Sequence, residues 1–329
     1  MKTAVVLMNL GGPSAPETIK PFLFNFFMDK NIIQAPLPVR WLVAKWISFS
    51  RGNGAAKEAY APLGGKSPLL ENTQEQAAAL QAELNRRSVD AKVFVSMRYW
   101  HPRASEVAAD VRAYGADKII LLPLYPQFST TTSFSSIQEW ERNSTQAADK
   151  LCCYPLQDGF IQASAKKILT ALKDAPENTR VLFSAHGLPE KIITDGDPYQ
   201  YQCEITAAAI AKQAGLRDWQ ICYQSRVGPL KWIGPSTEEA MQKAADDKVG
   251  IVIYPHAFVS EHVETLVEIG MEYRHKAEEM GIPYFGKADT VGAHPLFISG
   301  LADLVQEKIS GAETVRICPQ TFTRCGCKL

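Results

Sequence analysis

Short runs of β-branched and other apolar residues alternate along this chain with longer stretches in which apolar positions recur every three or four residues. The runs at 3–9, 91–97, 118–124, 179–184, 219–223 and 249–254 predict strands, with a weaker one near 283–287. The stretches at 72–86, 102–113, 160–173, 198–214, 236–245, 261–280 and 294–309 predict helices. Strand–helix alternation implies parallel sheets wrapped by helices. The pattern runs through twice. One domain is expected over 1–145, completed by the helix and tail at 294–329, and a second over 146–293.

Composition narrows the class. Apolar residues make up 46%, and 35 basic residues balance 35 acidic ones, as in an ordinary soluble globular protein. The neutral balance speaks against a nucleic-acid binder, which carries a basic excess. The N-terminus reads as a strand ending at Asn9 and a Gly-Gly-Pro turn rather than as a signal peptide, so a cytoplasmic protein is expected. In that compartment the seven cysteines are thiols or metal ligands, not disulfides. One segment departs from the average. Residues 20–51 hold Phe22, Phe24, Phe26, Phe27, Trp41, Leu42, Trp46 and Ile47, with Lys20, Lys30, Arg40, Lys45 and Arg51 against the single acid Asp29. Such a mixture suits a surface resting on a membrane or gripping a large apolar ligand. Two amphipathic helices packed on the core would account for it equally well.

The chemistry concentrates at strand ends, where ligands sit in α/β proteins. After the run Gly250–Tyr254 comes Pro255-His256-Ala257-Phe258-Val259-Ser260-Glu261-His262-Val263-Glu264. Ser260 is a plausible N-cap for a helix starting at Glu261. On an α-helix, Glu261, Glu264, Glu268 and Glu272 stand at i, i+3, i+7 and i+11 and share a face. Such a row is usually just solvated; a start at a strand end beside His262 makes it a route for metal ions or protons. His186 follows the run Val181-Leu182-Phe183-Ser184 between small residues, where a neutral imidazole can bind a divalent metal or accept a proton. Asn9-Leu10-Gly11-Gly12-Pro13 lacks the dinucleotide-binding spacing and reads as a tight turn lining a cleft. Met97–Pro102 and Gln224–Pro235 pair aromatics with an arginine, a combination suited to a flat, carboxylate-bearing ligand.

Taken together these segments resemble the ferrochelatases, which insert ferrous iron into a porphyrin. The match runs over nearly the whole chain, through Asn9–Pro13, Gly65–Leu69, Arg98–Pro102, Leu124–Gln127, Ser184–Pro189, Gln224–Pro229 and Ala257–Leu266. The resemblance implies two similar lobes, each a four-stranded parallel sheet flanked by helices, with the porphyrin in a cleft between them. It implies that His186 is the essential histidine, a proton acceptor or a metal ligand, and that Glu264 is its partner on the opposite wall with His262 beside it. It puts Glu261, Glu268 and Glu272 on a helix that widens to π geometry, and Met8, Arg98, Tyr99 and Trp232 around protoporphyrin IX. Lys66 replaces a glycine of many relatives, and His256 an isoleucine; His256 is expected to stand behind the residues that line the cleft, or to be structural, rather than to be an extra ligand. The rival readings are a cobalt or nickel chelatase for another tetrapyrrole, and a haem or metal carrier without turnover.

Cys203 and Cys222 fall within predicted elements and read as inert core thiols. Cys318, Cys325 and Cys327 crowd a polar tail, which points to metal ligation, although their spacing matches no common zinc or ferredoxin pattern. The resemblance extends to ferrochelatases with a C-terminal [2Fe-2S] cluster. It implies a fourth ligand from Cys152 or Cys153, of which only one reaches the cluster because neighbouring strand residues point opposite ways.

Overall fold

A computed structural model describes residues 1–225, 230–312 and 315–328. The chain divides into two compact units. The first comprises Met1–Leu124, Thr130–Cys152 and Ala302–Glu313; the second comprises Tyr125–Ser129, Cys153–Leu301 and Thr314–Leu329.

Each unit is built on a four-stranded parallel sheet. In the first, β1 (Thr3–Asn9), β2 (Ala91–Met97), β3 (Lys118–Pro123) and β4 (Asp149–Lys150) are ordered β2-β1-β3-β4. In the second, β5 (Thr179–His186), β6 (Trp219–Gln224), β7 (Gly250–Tyr254) and β8 (Phe285–Lys287) repeat the pattern as β6-β5-β7-β8. The central strands β1, β3 and β7, and the middle of β5 at 181–183, are largely apolar because helices cover both faces of a parallel sheet. The two-residue β4 escaped the sequence reading because so short a strand has no periodicity to detect.

One core of the first unit packs Val6, Met8 and Leu121 of the sheet against Val107, Val111, Ile137 and Trp140. Its counterpart in the second unit gathers Leu182, Ile251 and Ile253 with Met241, Ile269 and Tyr273. The aromatic-rich segment of the first unit forms helices Ile19–Phe27 and Leu37–Asn53. Ile19 and Phe22 of one, and Ala44, Ser48 and Gly52 of the other, are buried. A Cβ on Gly52 would come within 2.5 Å of Lys20 Cγ, so glycine is what lets these helices approach. The outer face stays open, with Trp46 71% and Phe49 64% exposed. The pair packs inward, as two amphipathic helices on the core would, and presents an apolar, basic outer face.

The tail was expected to complete the first domain, but Thr314–Leu329 belongs with the second unit. Phe322 packs on Tyr201 at 5.4 Å between ring centroids, and Arg324 N–H donates to the Gly196 carbonyl. The C-terminal helix Pro295–Ile309 contributes to both units: Phe297 packs with Tyr154 and Phe160, whereas Asp303 pairs with Arg87 at 2.6 Å.

Candidate functional site

The C-terminal end of β5 delivers His186, and the segment after β7 delivers Glu264. His186 Nδ1 lies 2.8 Å from Glu264 Oε2. A carboxylate can only accept, so Nδ1 carries the proton and Nε2 has no partner among the described residues. This corrects the expectation that the two face each other across a macrocycle: they are in direct contact. The parallel pairing of β5 with β7 puts the ends of both strands at the same edge of one sheet, which makes the contact possible.

Glu264 has further company. Gln224 Nε2 and Ser225 Oγ each approach Oε2 at 3.4 Å, and His262 Nε2 lies 3.8 Å from Oε1. His262 is buried and its Nδ1 sits 3.2 Å from the Ser260 carbonyl, an acceptor that fixes the proton on Nδ1 and turns Nε2 to Glu264. Burial opposes ionisation of both dyad members, yet their mutual attraction prevails. Burial lowers the His186 pKa, but Glu264 and then Glu268 raise it above the usual imidazole value. Burial raises the Glu264 pKa, but His186 and then His262 hold it far below the ordinary carboxylate range. Burial and the adjacent Glu264 charge push Glu268 the other way, upward.

Glu268 is cradled by donors. Ser225 gives its backbone N–H at 3.1 Å and its hydroxyl at 2.7 Å, and the Tyr273 hydroxyl adds a third at 3.0 Å. Ser225 achieves this at φ +60°, a left-handed conformation uncommon outside glycine and suggestive of a functional constraint. The rest of that loop, including Arg226 of the family-like segment, falls outside the described residues.

The helix starts later than Ser260 predicts. Thr265 Oγ1, not Ser260, caps the turn by accepting the His262 N–H at 3.0 Å, and a π-helix runs Glu264–Glu272 before α-helix Tyr273–Glu279. The expected widening is present. Bonding from i to i+5 makes each turn longer than 3.6 residues, so the four-residue steps Glu264, Glu268, Glu272 stay nearly in register. Glu264 and Glu268 are half-buried and Glu272 is exposed, a row emerging from interior to surface. Glu261 lies before the helix and outside that row. It accepts from Thr290 N–H at 2.8 Å and faces Lys287 Nζ at 3.2 Å, an anchor to the strand β8 segment.

His256 is fully buried beside Phe183, and neither ring nitrogen has a well-formed hydrogen bond among the described residues. Burial pushes its pKa down to about 4. It is a neutral core residue, as expected. Trp232 is half-buried on the strap that pairs with Pro189, and its indole N–H is buried without a described partner.

In the first unit Met8 lies in the core, and Arg98 and Tyr99 are buried in a charged network with Asp29. Arg98 donates to Asp29 Oδ2 at 3.0 Å and to Ser135 Oγ at 2.7 Å, while the Tyr99 hydroxyl reaches Asp29 Oδ2 at 2.7 Å. Burial opposes the Asp29 charge, but Arg98, Ser135 and Tyr99 hold the carboxyl below its usual range. Sequence reading missed Asp29 and Ser135, since nothing local marks an acid as the partner of an arginine 69 residues away.

The cysteines assemble as a group. The sulfurs of Cys152, Cys325 and Cys327 lie within 4.8 Å of one another and can hold a metal ion. Cys318 is beside Cys325 and Cys327, and burial first, then these thiols, pushes its pKa up to about 12. Gln202 Nε2 approaches Cys318 Sγ at 3.0 Å and Cys153 Sγ at 3.4 Å. Cys203 and Cys222 are fully buried.

Comparison with known proteins agrees with this chemistry. The family pattern described as Ferrochelatase matches residues 2–309. The chain is 48% identical to a protein named Ferrochelatase from Hyphomonas neptunium, over 98% of this chain and 94% of that one. It is 48% identical to another of that name from Caulobacter vibrioides, over 99% of this chain and 98% of that one. Among solved structures it resembles SirB from Bacillus subtilis with Fe3+, with TM-score 0.56 and 14% identity over 95% of this chain and 98% of that chain. It also resembles CbiX, described as the terminal enzyme for biosynthesis of siroheme in denitrifying bacteria, with TM-score 0.51 and 14% identity over 93% and 98%. These two likenesses concern the fold alone.

Proposed function

The chain belongs to the ferrochelatase family, and we propose that the His186–Glu264 dyad performs the proton transfer of its reaction. The reaction inserts ferrous iron into protoporphyrin IX to form protohaem, with Fe²⁺ and the porphyrin as substrates. Metallation must strip two pyrrole protons from the macrocycle. A histidine whose Nδ1–H is held by a carboxylate and whose Nε2 is open is built as a base: Nε2 takes a pyrrole proton, and Glu264 stabilises the imidazolium that results. The 2.8 Å contact carries this reading. His262 stands beside Glu264, with Nε2 3.8 Å from Oε1, and Glu268 and Glu272 offer a relay to solvent. Glu261 acts as an anchor.

Trp232 has an indole N–H without a described partner on a half-buried ring, which favours contact with the porphyrin. The closed Asp29–Arg98–Tyr99 network favours a supporting role for Arg98 and Tyr99, and burial in the core favours the same for Met8. Multiple turnovers of anaerobic Fe²⁺ or Zn²⁺ insertion, followed by porphyrin fluorescence, test the assignment. Near-normal insertion by His186→Ala would overturn it, and stoichiometric uptake without turnover would indicate a carrier.

The finer proposals concern the cluster and the membrane. Cys152, Cys318, Cys325 and Cys327 would hold a [2Fe-2S] cluster. Four soft thiols without a disulfide, three with sulfurs within 4.8 Å and the fourth alongside, fit that group. Cys152 rather than Cys153 is the ligand on this reading, because the Cys152 sulfur is the one of the two that lies in the close trio with Cys325 and Cys327. Such a cluster supplies a one-electron couple or a clamp on the tail. Among the described residues no helix is long and apolar enough to cross a membrane. We propose a cytoplasmic protein that rests on the membrane through residues 20–51, on the support of exposed Trp46, Phe49 and Leu42 beside Lys20 and Lys45.

A further inference from the structure

Gln202 sits on helix Tyr199–Ala214 and is completely buried. Its side-chain oxygen accepts the backbone N–H of Phe128 at 2.7 Å. That bond fixes which way the amide faces, because a backbone N–H can only donate. The NH2 group must then point the other way, and a buried amide needs acceptors for both of its hydrogens. The acceptors it finds are sulfurs: Cys318 Sγ at 3.0 Å and Cys153 Sγ at 3.4 Å. A carbonyl or carboxylate would satisfy an amide better than a thiol does, so the shorter pairing, with Cys318, costs stability unless that sulfur carries more charge than a neutral thiol. A cysteine bound to iron does.

We propose that Gln202 tunes the iron–sulfur centre by donating an N–H to the ligand sulfur of Cys318, raising the reduction potential and thereby favouring the reduced state. The proposal rests on the cluster reading above and deepens it. Donation to a ligand sulfur withdraws electron density from iron and offsets the negative charge added on reduction. Among the described residues the Gln202 side chain makes no hydrogen bond to the His186–Glu264 site. It is a positioning and tuning residue, and its action is read in the spectroscopy of the centre, not in turnover. Because Cys153 takes the second hydrogen, the amide also ties the segment before helix Asp158–Leu172 to the tail.

The test uses full-length protein purified or reconstituted anaerobically, with iron and labile sulfide assayed and the visible and EPR signals followed in a potentiometric titration. Gln202→Met keeps the volume and removes the donor. Gln202→Glu keeps the acceptor for Phe128 N–H and replaces the donor with a carboxylate. In Gln202→Met the cluster should remain, with the reduced-to-oxidised ratio at a fixed poise lower by about tenfold, as for loss of one modest hydrogen bond, or ~59 mV for a one-electron couple. Gln202→Glu should shift further in the same direction, and the iron–cysteine stretching bands should move in both. A cluster present in either variant with the wild-type potential overturns the proposal. So does a folded protein, by circular dichroism, that loses the cluster in both variants, since the amide would then be a tether only. Wild-type protein without iron or labile sulfide after reconstitution overturns the cluster reading itself, an outcome distinct from the other two.

Discussion

His186 Nδ1 and Glu264 Oε2 stand 2.8 Å apart, one at the end of β5 and the other 78 residues later on the first turn of a π-helix. Each perturbs the other's protonation, in opposite directions. The pairing therefore has a pH signature. The raised imidazole contributes stability in full below the unfolded value of about 6.5, and loses it as pH rises through the folded value. The depressed carboxylate contributes above its unfolded value and loses it as pH falls through the folded one.

In catalysis the neutral imidazole is the acceptor, so insertion rate should rise with pH through the raised His186 pKa. Glu264→Gln removes the negative partner. Its rate should fall by roughly 10²–10⁴-fold, the usual contribution of a positioned base, and the limb should move to lower pH. Zinc insertion measured across the pH range checks both. An unmoved limb would mean that another group titrates there.

Asp29→Asn leaves Arg98 buried and without its full counter-charge. Both side chains of the pair are nearly inaccessible, at 7% and 2%, so a loss of about 3–5 kcal/mol is expected, read as a lowered midpoint in urea. The double variant Asp29→Asn with Arg98→Met should recover much of it. No loss in the single variant would show the network to be dispensable.

His256 is neutral in the fold with a pKa near 4, whereas the unfolded chain takes up a proton already at about 6.5. The unfolded state binds more protons below that value, so stability should drop as pH falls from about 6.5 towards 4, by about 3 kcal/mol if the group acts alone. His256→Leu should flatten this slope and retain metal insertion. Loss of turnover with an unchanged fold would instead make His256 a participant.

Trp46→Glu should reduce co-sedimentation with anionic vesicles while leaving metal insertion from detergent-free porphyrin near normal, since Trp46 is 71% exposed and takes no part in the core. Equal binding by both proteins would remove residues 20–51 as a membrane contact.

Cys325→Ser should abolish visible absorption and iron content at the tail. Colourless wild-type protein free of iron would argue against the cluster from the start. The buried position of Cys325 among other thiols makes it the most telling single change.

Much of this was legible along the chain. Among the described residues, seven of the eight strands and most of the long helices followed from periodicity, because a core face must repeat every two or every 3.6 residues whatever it packs against; helix Ser133–Asn143 was not read. Only the two-residue β4 was too brief to leave a pattern. Strand-end placement singled out His186 and the Glu264 segment, and the crowding of cysteines singled out the tail.

What the sequence could not supply was pairing in space. Parallel order β6-β5-β7-β8 turns two distant strand ends into neighbours and makes His186 and Glu264 a contact rather than two facing walls. The π-helix removes Glu261 from the acidic row, since the register of a wide turn depends on which backbone bonds form. Asp29 beneath Arg98, and Gln202 against Cys318, are partnerships between residues 69 and 116 positions apart. The pattern of apolar and polar residues determined the elements, and the motifs at the strand ends, such as Ser184–Pro189 and Ala257–Leu266, carried the resemblance to a metal-inserting family. Which charge meets which was decided by folding, because electrostatics and hydrogen bonding act over a few ångströms of space and take no account of distance along the chain.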